Sequence, residues 1–96
     1  MIYVKIHKGS SEVIAICDEE LIGKKFSDGK FCLDIKENFY KGELMKEEQV
    51  RNILRNATNL NIVGEESIKL ALEEGIIDKD CIVKIKGVPH AQLIVL

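Results

Sequence analysis

The chain has no tryptophan, a single proline and only five aromatic residues among its 96. With so few rings, the core has to be built from Ile, Leu and Val. Cysteine is scarce too: Cys17, Cys32 and Cys81 are widely spaced, with no Cys-x-x-Cys pair. An odd number without paired spacing argues against a disulfide framework and against a structural zinc site. We read all three as reduced, buried thiols, because unpaired Cys is among the most buried residue types. No apolar run approaches the roughly 18 residues of a membrane span. The N-terminus lacks the apolar stretch and small-residue cleavage site of a signal peptide. These absences predict a cytoplasmic protein with no membrane partner.

An excess of basic charge is also missing. The net charge is −2 and the pI lies near 5.7, whereas a nucleic-acid-binding domain commonly carries a basic footprint. This argues against DNA and leaves RNA only a local patch, for which Lys24, Lys25, Lys84 and Lys86 are the candidates. Phosphate-binding glycine patterns are absent, and no motif requires a cofactor or a metal.

What is present is an ordinary globular composition, 46% apolar and 31% charged. A chain of this size buries roughly 60 to 68% of its unfolded surface, enough for one domain spanning residues 1–96. Ile2, Val4 and Ile6 alternate with Tyr3, Lys5 and His7, the period of a half-buried strand. Lys8-Gly9-Ser10-Ser11 turns the chain into Val13-Ile14-Ala15-Ile16-Cys17, completing a hairpin with His7 exposed near its turn. Phe31 to Ile35 predicts a third strand, and residues 38–44 read as either a loop or a short strand. Val50, Ile53, Leu54 and Ala57 mark a helix from about Lys46 to Thr58; Ile68, Ala71 and Leu72 mark another from about Glu65 to Glu74. Gly75 stops the second. Thr58 to Gly64 reads as a connector, Cys81 to Ile85 as a strand, and Leu93 to Leu96 as a further terminal strand. Strands followed by clustered helices predict an α+β fold. The expected architecture is a two-layer sandwich, a mostly antiparallel sheet with two helices on one face.

Gly87-Val88-Pro89-His90-Ala91-Gln92 concentrates unusual chemistry. Pro89 fixes its own φ and extends Val88, which predicts a rigid turn displaying His90, a group that titrates near neutrality. Gly87, Pro89, His90 and Gln92 form the first candidate site, though no sequence-local carboxylate orients the imidazole. The second is the acidic turn Asp18-Glu19-Glu20-Leu21-Ile22-Gly23, with Asp18 capping and Gly23 ending a helical turn. Gly64, opening the second helix, reads as a structural cap, since Glu65 and Glu66 would repel a phosphate. Cys81 is a remote candidate nucleophile. The apolar tail Leu93-Ile94-Val95-Leu96 should pair with a sheet edge, within the monomer or across a homodimer.

Several of these blocks together resemble the archaeal domain-of-unknown-function 424 family. They are Tyr3-Val4-Lys5-Ile6-His7, Cys17 to Lys24, Phe39-Tyr40-x-Gly42-Glu43, Ala57 through Val63-Gly64-Glu65, and Gly87 to Gln92. The resemblance implies a small α+β domain of an archaeal cytoplasm, and supplies no reaction and no catalytic residues. The expected function is therefore a non-enzymatic binding or accessory module, with a protein or RNA partner and an association with RNA or translation. Two alternatives stand beside it: a small enzyme using His90 with an acidic partner, and a homodimeric interaction protein joined by the C-terminal strand.

Overall fold

The computed structural model describes residues 1–94. The alternating N-terminal segment forms β1 (Ile2–His7), which pairs antiparallel with β2 (Val13–Asp18), Val4 facing Ile16. Residues Ile14 to Asp18 are all buried, so β2 lies inside the sheet with both faces covered. Ile14 and Ile16 point to one side, Ala15 and Cys17 to the other.

The segment expected to be a connector is β6 (Asn59–Val63), lying parallel to β2 with Ile16 opposite Ile62. Asn59 and Asn61 disguise it, because Asn is depleted in strands. Two further strands complete the C-terminal part: β7 (Val83–Ile85) and β8 (Val88–Ile94), the latter seated between β6 and β7. A three-residue strand, β5 (Glu43–Met45), joins the other edge beside β1. The order is β5-β1-β2-β6-β8-β7. Every pairing is antiparallel except β2 with β6, so the sheet is mixed.

Helices α2 (Glu47–Asn56) and α3 (Glu65–Glu73) cover one face, as their periodicity requires. Val50, Leu54, Ile68 and Ala71 pack on Ile2, Val4, Ile14, Ile16, Leu60 and Ile62. Arg51 bridges the helices, donating to Glu47 on its own helix, to Glu73 on the other and to Glu74, which caps that helix's C-terminus. Arg55 adds a second contact to Glu74 at 2.6 Å.

The opposite face is covered as well, which corrects the two-layer expectation. A hairpin of β3 (Lys25–Asp28) and β4 (Phe31–Asp34) and the single-turn α1 (Glu37–Tyr40) lie over it. Leu33, Ile35 and Tyr40 close on Ala15, Cys17, Val63 and Ile85. In β3 only Phe26 is even half-buried, so no hydrophobic pattern announces that strand. Among the described residues, no helix is long and apolar enough to cross a membrane.

Candidate functional site

Asp18 ends β2 at 2% exposure, carrying a carboxylate into the interior. Its Oδ2 accepts the Glu66 amide at 3.0 Å, and Oδ1 accepts both the Ser67 amide (2.8 Å) and the Ser67 hydroxyl (2.6 Å). Asp18 therefore caps α3, 49 residues further along the chain, rather than the turn that follows it, where it makes no capping bond. An internal anion occupies the helix N-terminus, satisfying orphan amides and the dipole together. Gly64 makes room for it. Its φ is +111°, and a Cβ there would fall on the Asp18 carboxylate. Of the other acidic-turn residues, Glu19 reaches the N-terminal amine at 3.7 Å. Gly23 adopts φ +81° and donates to the Ile35 carbonyl.

The turn expected over 87–92 is two residues long. Lys86 (φ 53°) and Gly87 (φ 79°) connect β7 to β8, and Val88 to Gln92 belong to strand β8. Left-handed backbone at both positions is the turn that matches strand twist. Pro89 survives inside the sheet because β6 has already ended opposite it. Its carbonyl accepts the Gly64 amide at 2.9 Å, while the Gly64 carbonyl is turned to the Ile68 amide in α3. The missing proline N–H leaves no ladder acceptor unpaired.

His90 projects from β8 towards the hairpin-covered face, half-buried. Its Nε2 lies 3.0 Å from Asn61 Oδ1 on β6. The same oxygen accepts the Tyr40 hydroxyl at 2.6 Å. A carbonyl oxygen only accepts, so Nε2 carries the ring hydrogen and Nδ1 is the lone-pair nitrogen. Burial holds the His90 pKa below its ordinary value and pushes Tyr40 up to about 12, with Cys17 adding to the rise. His90 is thus a neutral imidazole in a Tyr–Asn–His chain. Its partner is an amide, neither a carboxylate nor Cys81. Asn61 and Tyr40 were invisible as a site because 59–63 did not read as a strand.

The acidic turn and the β7–β8 hairpin meet in space. Asp18, Glu20, Leu21, Glu65, Gly87, Val88 and Pro89 line a cavity of about 190 Å³. Glu65 and Pro89 also border a groove of about 400 Å³ between α3 and the hairpin. Ile68, Leu72, Ile82 and Pro89 supply its apolar lining, and Glu65, Lys69, Glu73 and Lys84 its charge.

The four candidate lysines do not share this surface. Lys84 borders the groove on the helix side, Lys86 occupies the hairpin turn, and Lys24 and Lys25 belong to the segment on the opposite face. Cys17 is buried, and burial followed by the nearby Asp18 and Glu20 charges pushes its thiol up to about 12. Cys32 and Cys81 are exposed, contrary to expectation; Cys81 sits in a 3-10 turn before β7. His7 is half-buried, stacked on Phe39 at 4.6 Å and donating to its carbonyl. Among the described residues, no group of three or more His, Cys, Asp or Glu is placed to hold a metal ion.

Fold and site together define a small α+β domain with an internally capped helix beside an apolar groove. Residues 7–96 match the family model described as protein of unknown function (DUF424), and the chain belongs to that family. A crystal structure of an uncharacterized conserved protein from Methanopyrus kandleri is similar at a TM-score of 0.80 and 28% identity, covering 99% of this chain and 91% of that one. No curated protein matches the chain.

Proposed function

We propose that the protein is a non-catalytic binding module of the cytoplasm, and that it holds an apolar segment of a partner protein in the groove between α3 and the β7–β8 hairpin. The groove itself carries this reading: four apolar side chains converge there, bordered by two acids and two lysines. Such a lining suits a peptide with an apolar anchor and neutral charge balance. It does not suit a phosphate backbone, which needs a surplus of cations; Asp18 and Glu20 in the adjoining cavity add acidity. Exposed, unpaired Cys32 and Cys81 fit a reducing compartment. The enzyme alternative required a carboxylate or thiol beside His90, and Asn61 stands there instead.

A tagged pull-down from the native host, with and without nuclease, tests the proposal. The expected result is a nuclease-resistant protein that Leu72→Arg releases and His90→Ala retains. A partner removed by nuclease would transfer the module to RNA or to the translation machinery. Retention by Leu72→Arg would move the contact away from the groove.

A further inference from the structure

The spacing of the helical layer leaves one position empty. Helix α3 packs against β2, β6 and β8, which centres it over β6, while α2 packs against β1. In the sheet order, β1 lies two strands from β6 on one side and β7 lies two strands from it on the other. Two strand spacings come to about 10 Å, close to the roughly 8–10 Å between packed helix axes. A helix on the free side of α3 would therefore be centred over β7, as α2 is over β1. The groove of about 400 Å³ lies at that position, with Lys84 and Pro89 from the hairpin on one side of it. Its other side is the α3 row Glu65, Ile68, Lys69, Leu72 and Glu73. That row steps through i, i+3, i+4, i+7 and i+8, the ridge that one helix offers to another.

A strand is the poorer occupant. The neighbouring edge, β7, is three residues long, and Lys84 is the residue that turns its backbone outward; brevity and lysine both blunt an edge. Charge narrows the choice further. Among the described residues, Glu65, Lys69 and Lys84 form no ion pair, whereas Glu73 is held by Arg51 at 2.6 Å. We infer that the groove receives an amphipathic helix of the partner protein, laid beside α3 as the third member of the helical layer. Its apolar stripe covers Ile68, Leu72 and Pro89, an acidic residue faces Lys69 and Lys84, and a basic residue faces Glu65. The inference rests on the groove reading above and adds the form and charge of what the groove holds.

The probe is a fluorescein-labelled, alanine-based peptide of about fifteen residues, with leucines at i, i+3, i+4 and i+7 flanked by one Glu and one Lys. Titration with the full chain is expected to give saturable anisotropy, with peptide helicity rising on binding. A proline at the centre of the same peptide should weaken binding about tenfold or more. Leu72→Arg should abolish binding. Lys69→Glu, at an exposed position, should weaken it about threefold, the scale of an exposed ion pair. A peptide with Lys in place of its Glu should recover that loss. Circular dichroism confirms that both variants remain folded. If the proline peptide binds equally well and Leu72→Arg still blocks it, the groove takes an extended segment: the inference falls and the groove reading stands. Binding that ignores both substitutions overturns the inference, and so does no binding up to the solubility limit; the nuclease-controlled pull-down then judges the groove reading separately.

Discussion

At the scale of single residues, the Asp18–Gly64 pair matters most. A buried carboxylate costs several kcal/mol to desolvate unless it is fully hydrogen-bonded, and Asp18 meets that condition with two amides and a hydroxyl. Gly64→Ala forces a β-carbon into the carboxylate and a left-handed backbone onto alanine. The expected loss is about 2 to 4 kcal/mol, combining backbone strain with the broken cap. Urea unfolding measures it, and a change below about 1 kcal/mol would mean that the helix end accepts water in place of Asp18. Ser67→Ala should cost less, since it leaves both amide bonds in place.

Elements obey their local signals unevenly. Helices α2 and α3 fall within a few residues of their predicted spans because apolar spacing, acidic first turns and a stop glycine agree. The β1–β2 hairpin was equally legible from alternation. By contrast β3 and β6 were missed, and β5 was only one of two readings of residues 38–44, for three different reasons. β3 buries almost nothing, β5 is too short to show a period, and β6 carries asparagines at alternate positions. Asn61 sits there because it serves Tyr40 and His90, a requirement set by other segments. The β7–β8 turn makes a separate point, since Lys86 occupies a left-handed position usually given to Asn or Gly. Lys86→Asn should stabilise the fold by about 0.5 to 1 kcal/mol. It would appear as a higher urea midpoint with an unchanged slope; an unchanged midpoint would show that the lysine pays no strain there.

For the whole molecule, acid sensitivity follows from two groups on opposite faces of the sheet. Burial lowers the His90 pKa from 6.5, so the folded state resists its protonation. Between 6.5 and the lower folded value, the unfolded chain binds more protons. Stability is therefore complete above that range and declines as pH falls into it. Glu74 is lowered from 4.5 by Arg55 first and Arg51 next, and its contribution holds above 4.5 and fades as pH drops through the folded value. Urea midpoints followed from above neutrality down into the carboxylate range should fall in two steps. His90→Gln should abolish the upper step and keep the lower; persistence of the upper step would assign it to another group.

The candidate site divides along the same line. Its residue types were legible: proline beside histidine, an acidic triplet, a glycine opening a helix. Their partnerships were not. Asp18 looked like the cap of its own turn, and it caps α3 because the parallel pairing of β2 and β6 sets their ends side by side. His90 looked like a turn residue, and it lies in a strand because Lys86 and Gly87 already complete the turn. Val95 and Leu96, half of the expected terminal strand, lie outside the described residues. The sequence by itself determined what short-range spacing encodes: two amphipathic helices, the first hairpin and an aliphatic core. Tertiary structure alone decided the parallel β2–β6 contact, the second covering layer, and the meeting of residues 18–21 with 87–89. Those contacts join residues tens of positions apart, and no local period or propensity carries information across such a distance.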